Sequence, residues 1–220
     1  MTLRAAVFDF GETLVSEERA WGAWADWLGA THQELFAAIG ATIQARVQHV
    51  HALELLSPGF DLPTALAARE AAGLPRNEEL YDLYPDAAAA LARLRAAGLR
   101  VAVAGNQPLG AERSVASMME PGELVATSAF WGTSKPAPEF FARVASELAL
   151  PPNEIAYVGD RIDNDILPAA AAGMFTVHLR RGPWGVIQAA WPEASQADAS
   201  VSSLDEAATA ILTHRPQTTT

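Results

Sequence analysis

Three stretches of this 220-residue chain carry side chains at spacings that could do chemistry: VFDFGETL (7–14), GTSKPAP (132–138) and YVGDRIDND (157–165). In the first, Asp9 follows an apolar run and Thr13 comes four residues later, the outline of a loop that presents a carboxylate for phosphoryl transfer. The place two residues after Asp9, where a second aspartate would complete such a loop, holds Gly11. In the third stretch Asp160 and Asp165 follow another apolar run. Between them stands Lys135, the only lysine; all fourteen other basic residues are arginine. In a chain this averse to lysine, one kept beside Pro136 points to a need for the compact charge of an ammonium. A carboxylate that attacks a phosphoryl group approaches an anion while being one, so a metal and a cation must cancel the repulsion. Asp9, Asp160 and Asp165 offer oxygen ligands alone, which suit Mg²⁺ better than zinc. The plainer readings are helix caps: Asp9 after its strand, Asp160 and Asp165 as cap and first-turn residues, and Asp163 as a cap only.

The elements that must position these groups follow from periodicity. Leu3 to Phe8, Arg100 to Gly105, Leu124 to Ser128, Ile155 to Val158 and Phe175 to Leu179 are short apolar runs that read as five buried parallel strands. Helices are expected over 84–98, with Pro85 near its start and Gly98 as its stop, from about 138, and over 165–172. Strands alternating with helices predict a doubly wound parallel α/β sheet with its site at the strand C-termini. Residues 16–82 differ: Trp21, Trp24 and Leu28, then Leu35, Ile39, Ile43 and Val47, recur at helical spacing, and three or four helices with no strand are expected. The domain reading is therefore a core of 1–15 and 83–220 with a helical insertion at 16–82.

Composition narrows the partners. Half the residues are apolar, enough for a sizeable core, and the net charge of −11 disfavours nucleic acid and anionic membranes. The absence of cysteine removes disulfides, thiolate metal sites and a thiol nucleophile. With no long uncharged N-terminal run and no 18-residue apolar segment, a cytoplasmic protein that is monomeric or homodimeric and takes a small-molecule substrate is expected. The polar end, HRPQTTT, is expected to fray.

DFGET (9–13), AGN (104–106), GTSKPAP and YVGDRIDND occur in an order and at separations that resemble the haloacid dehalogenase-like (HAD) superfamily. K-P-x-P-x-F and G-D-x-x-N-D are the most specific pieces, and the likeness covers nearly the whole chain. It implies a Rossmann-like core with a small α-helical cap that closes over the site. It further implies Asp9 as nucleophile, Lys135 as the catalytic cation, Thr13 orienting the loop, and Gly105, Asn106, Lys135 and Arg161 toward the phosphoryl group. The implied Mg²⁺ ligands are Asp9, the backbone carbonyl of Gly11, Asp160 and Asp165.

The chain departs from that pattern at Gly11, where the family's phosphatases carry the acid that protonates the leaving oxygen. General acid catalysis is worth about 10²–10⁴-fold. Glu12 is the adjacent substitute, although neighbours in an extended loop point to different sides. Gly105 replaces the usual hydroxyl residue but keeps a backbone N–H and lets a ligand come close, and Pro168 should shift the helix it enters. The resemblance implies a Mg²⁺-dependent phosphatase of a small phosphorylated metabolite acting through an aspartyl-phosphate. The alternatives are a 2-haloacid dehalogenase, with Arg19 or Arg46 as its cap arginine and Trp21, Trp24 and Trp27 lining an apolar pocket, or a weakened protein that binds metal and phosphate. Phosphonate hydrolysis through a cap lysine is excluded, because 16–82 contains no lysine.

Overall fold

The computed structural model describes residues 2–214, so most of the terminal stretch expected to fray lies outside the described residues. Among these, the strands are β1 (Ala5–Phe8), β2 (Val15–Ser16), β3 (Asp82–Leu83), β4 (Arg100–Gly105), β5 (Leu124–Thr127), β6 (Ile155–Gly159), β7 (Phe175–Leu179) and β8 (Ala199–Val201). Six form one parallel sheet in the order β5-β4-β1-β6-β7-β8, and β2 pairs with β3 in a separate two-stranded sheet. β1 sits in the middle of the large sheet because all four of its side chains are apolar and buried, which an edge strand could not sustain. The sixth strand was not expected: Ala-Ser-Val is three residues long within polar text and makes no apolar run.

Side-chain alternation divides the core between the two faces of the sheet. Val7, Ala102, Ala104 and Tyr157 point to one side, where Phe140, Phe141 and Val144 of the helix Pro138–Glu147 cover them. Helices Ala87–Ala96 and Leu204–Thr213 pack against each other and against the sheet strands.

The helix expected from Asp165 is built differently. A π-helical turn spans Ile162–Ile166, and only then does an α-helix, Leu167–Ala171, begin with Pro168 in its first turn. Proline has no N–H to donate and crowds the carbonyl four residues back, so the turn before it widens; the Ile166 amide reaches the Arg161 carbonyl instead.

The chain divides into two compact units, residues up to Val15 together with those from Leu83, and Ser16–Asp82. The second unit holds four α-helices, Glu18–Leu28, His32–Gln44, Val50–Leu56 and Leu62–Ala71. The expectation of no strand there fails at its two ends, since Ser16 and Asp82 belong to the small paired sheet. Gly29 ends the first helix in the left-handed conformation, and Thr31 with Glu34 closes a capping box on the second. Trp24 organises this unit's core. Its indole donates to Asn77, its ring meets Phe60 edge-on at 5.7 Å, and the Arg69 guanidinium lies 4.3 Å over it. Among the described residues, no helix is long and apolar enough to cross a membrane.

Candidate active site

The site forms where β1, β4 and β6 end together, at the carboxyl edge on either side of the central strand. Parallel register sets Phe8 beside both Val103 and Val158, so Asp9 emerges level with Ala104 and Gly159. One oxygen each from Asp9, Asp160 and Asp165 falls within 4.8 Å of the others, and all three residues are buried. Lys135 Nζ lies 2.6 Å from Asp9 Oδ1, hydrogen-bonds Asp165 Oδ1, and is 5.7 Å above the ring of Tyr157.

Two glycines make this approach possible. A Cβ at position 105 would stand 2.2 Å from Asp9 Oδ1, and one at 159 would stand 2.4 Å from the Asp165 carboxyl. The space a side chain at position 105 would need is thus taken by the Asp9 carboxylate. Asp165 is further fixed by the Arg161 amide on its Oδ2, so both its oxygens are engaged.

Asn106 spends its side chain on Lys135: its amide donates to the Lys135 carbonyl and accepts from the Lys135 N–H, both at 2.8 Å. This pair sets the backbone that carries the ammonium. Arg161 is held by Asp163 through two nitrogens and lies 5.6 Å from the centroid of the Trp184 ring. Asp163, read as a cap, instead anchors Arg161 and accepts from Gln188.

Electrostatics favour a cation here. Burial, then the charges of Asp165, Asp9 and Glu12, push the Asp160 carboxyl well above its usual range, against the pull of Arg161. Burial likewise pushes Asp165 up to about 6, in spite of Lys135. Burial disfavours the Lys135 charge too, but Asp165 and Asp9 outweigh it and hold the ammonium protonated. The ammonium meets two of the three carboxylates, Asp9 and Asp165, and burial raises Asp160 and Asp165 in spite of the nearby cations. With all three carboxylates ionised, two negative charges exceed the one ammonium; a divalent ion would cancel them, and an all-oxygen set fits Mg²⁺.

The loop after Asp9 turns back tightly, with the Thr13, Leu14 and Val15 amides all on the Phe10 carbonyl. Glu12 takes a left-handed φ of 50°, uncommon outside glycine. Its carboxylate accepts from the Tyr84 hydroxyl at 2.5 Å, and its side chain fills the space a Cβ on Gly182 would need, at 2.5–2.7 Å. Arg181 stacks 4.0 Å over Tyr84, donates to the Thr13 carbonyl and pairs with Asp86. The Thr13 hydroxyl is buried with no hydrogen-bond partner.

Several supporting residues were invisible in the sequence. Gln188 accepts from the Ile162 amide at 2.6 Å and so braces the turn that carries Asp165. His178 Nε2 donates to the Asp160 carbonyl, and the Tyr157 hydroxyl donates to Ala104. The signal available for the last two was a polar group inside an otherwise apolar strand, which in a buried sheet requires a partner. Arg19, weighed as a cap arginine, is tied to Asp82 at 2.6 Å and exposed, while Trp24 is buried in its own unit.

The haloacid dehalogenase-like hydrolase profile matches residues 3–173. The chain belongs to this family. Among curated relatives, the glyceraldehyde 3-phosphate phosphatase of Methanopyrus kandleri is 49% identical over 53 residues, 24% of this chain and 23% of that protein. The enzyme of the same name from Methanocaldococcus jannaschii is 32% identical over 126 residues, 56% of this chain and 54% of that protein. The chain thus spans about a quarter and about half the lengths of these two relatives. The phosphoglycolate phosphatase of Cereibacter sphaeroides is 31% identical over 160 residues, 70% of this chain and 72% of that protein. Among solved structures, a HAD phosphatase from Thermococcus onnurineus matches with TM-score 0.60 at 19% identity, covering 97% of this chain and all of that one. A 2-haloacid dehalogenase from Pseudomonas syringae matches equally, with TM-score 0.60 at 20% identity over 96% of this chain and 98% of that one. The HAD fold is common to both activities and does not choose between them. The chain is a hydrolase of this family.

Proposed function

We propose that this hydrolase is a Mg²⁺-dependent phosphatase of small phosphorylated metabolites, working through an aspartyl-phosphate at Asp9. The observation that carries the reading is the buried ammonium of Lys135 shared by Asp9 and Asp165 within a three-carboxylate cluster. A dehalogenating carboxylate meets a substrate with one carboxylate charge. A phosphoryl group brings two or more charges, which is what a divalent ion and an ammonium together are suited to offset. The curated relatives named above, each a phosphatase of a small phosphorylated metabolite, support the same reading.

In this proposal Asp9, Asp160 and the Gly11 carbonyl hold the ion, and Asp165 joins the cluster while anchoring Lys135. When bound, Mg²⁺ supplies charge neutralisation at the phosphoryl oxygens. Asp9 attacks phosphorus, Lys135 balances the oxygens on the opposite side, and the N–H groups of Gly105 and Asn106 donate to them. Arg161, fixed by Asp163, adds positive charge at the rim. Thr13 keeps the loop turned so that Asp9 faces inward. Residues 16–82 act as the substrate-selecting cap on the core of 1–15 and 83–220.

The test is hydrolysis of p-nitrophenyl phosphate by wild type and Asp9→Asn, with Mg²⁺ or EDTA, beside halide release from 2-haloacids. Turnover that requires both Mg²⁺ and Asp9 is expected. Halide release in EDTA would assign the dehalogenase activity instead, and Mg²⁺ binding without either turnover would leave a binding protein.

A further inference from the structure

Resting on the phosphatase reading, we infer that this site expels only leaving groups that depart as stable anions, so its substrates are aryl, enol or acyl phosphates and not alkyl phosphates. An alkoxide is about as basic as hydroxide and needs a proton as the P–O bond breaks, whereas a phenolate, enolate or carboxylate does not. Gly11 has no side chain to give that proton. Glu12 is already engaged: its carboxylate accepts from the Tyr84 hydroxyl at 2.5 Å, and its side chain packs against Gly182 at the start of the helix after β7.

The other titratable groups around Asp9 are engaged as well. Lys135 lies between two carboxylates, Asp165 uses both oxygens, and the Tyr157 hydroxyl serves the Ala104 carbonyl. Arg161 is clamped by Asp163 and too basic to act as an acid, and His178 is fully buried on the Asp160 carbonyl. Asp160 belongs to the ion cluster. Among the described residues named here, each titratable group is already engaged, and the unpaired Thr13 hydroxyl is too weak an acid to take its place.

The chemistry closes without one. An Asp9 oxygen bonds to phosphorus while the P–O bond to the leaving group breaks, and its electron pair departs on that oxygen as an anion. Water then bonds to phosphorus, the P–O bond to Asp9 breaks, and the carboxylate regains its electron pair. Both protons of the water leave on dihydrogen phosphate.

The experiment measures kcat/KM of the intact protein with Mg²⁺ across aryl phosphates of graded phenol acidity, acetyl phosphate, and glycerol phosphate as the alkyl case. The expected result is a steep fall with leaving-group basicity, with the alkyl ester slower than p-nitrophenyl phosphate by about 10²–10⁴-fold or more. Gly11 is not in the left-handed region, so its backbone admits a side chain, and Gly11→Asp should narrow that ratio. The wild-type series decides the matter even if that variant fails to fold. Alkyl and aryl esters turned over within tenfold of each other would overturn the inference. So would a selective loss of alkyl turnover in Glu12→Gln, which would make Glu12 the acid. Hydrolysis of no phosphate ester or acyl phosphate at all, with halide release in its place, would overturn the phosphatase reading as well.

Discussion

The loops that follow β1 and β6 are built from the same material and do different work. Each packs a buried acidic side chain against a glycine, Glu12 on Gly182 and Asp165 on Gly159, with closest approaches of 2.5 and 2.4 Å to the missing Cβ. Asp165 turns toward Lys135, in a cluster with Asp9 and Asp160, and a π-helical turn, Gln188 and the Arg161 amide hold it there. Glu12 turns to Tyr84, in a backbone conformation glutamate seldom adopts. The loop after β6 holds its carboxylate against the ammonium through several contacts, while the loop after β1 carries no side chain at Gly11 and commits Glu12 to Tyr84. The difference teaches that equal burial and equal crowding do not mark two carboxylates as equally functional; the partner each one faces does.

Removing the cation should give the largest effect. Lys135→Ala leaves three carboxylates around an empty slot, and loss of turnover by at least about 10²–10³-fold is expected. Stripping one partner from a buried charge cluster also costs about 3–5 kcal/mol of stability. Thermal melts at pH 5, where Asp160 and Asp165 can take protons, separate the two losses. Lys135→Arg should not restore turnover, because a planar guanidinium cannot occupy a slot only 1% exposed. Full activity in either variant would remove the ammonium from the chemistry.

The glycine pair tests the comparison itself. Gly159→Ala should displace Asp165, loosen Lys135 and lower kcat by about 10²-fold, the scale of a misplaced catalytic group. Gly182→Ala meets an equal clash at Glu12 and adds a left-handed φ of 63°, which costs an ordinary residue roughly 1–2 kcal/mol. Its expected signature is a lower melting temperature with kcat changed by less than about tenfold. If Gly182→Ala is instead the variant that loses turnover, Glu12 takes part in the reaction and the contrast between the loops is wrong.

What could be read from the sequence follows the physics of each part. Buried parallel strands announce themselves as apolar runs, so Asp9 and Asp160 could be put at strand ends. β8 has no such run and was missed. The isolated lysine marked Lys135 through chemistry alone. Pro168 warned that its helix would start irregularly, but only coordinates convert that into a π-turn spanning 162–166. That the Asn106 side chain also holds the Lys135 backbone is a long-range pairing that no local pattern encodes. Gln188, Tyr84 and Arg181 were illegible for the same reason: each acts on a loop distant in sequence.

The smallest effect expected is also the one that isolates the ion cluster. Asp165 is pushed from 3.8 to about 6, and Asp160 shifts the same way, so between these values the native state holds more protons than the unfolded chain. Their ionisation therefore lowers the stability of the ion-free protein as pH rises from 5 to 7. His178 runs opposite: burial lowers its pKa, and its contribution rises until the unfolded imidazole has lost its proton near 6.5. Asp86 is depressed because bonds from Arg181 and the Leu204 amide outweigh burial, so its stabilisation is lost only on acidification below about 4. A single melting curve mixes these signs, but the gain on adding Mg²⁺ does not, since an ion displaces protons only from the groups that bind it. At a hundredfold excess over its dissociation constant the ion adds about 2.7 kcal/mol, roughly 5–10 °C for a chain of this size. At the same Mg²⁺ concentration that gain should shrink by about half or more at pH 5, where protons must first be displaced. A gain identical at pH 5 and pH 7 would mean that the ion binds elsewhere than at Asp9, Asp160 and Asp165.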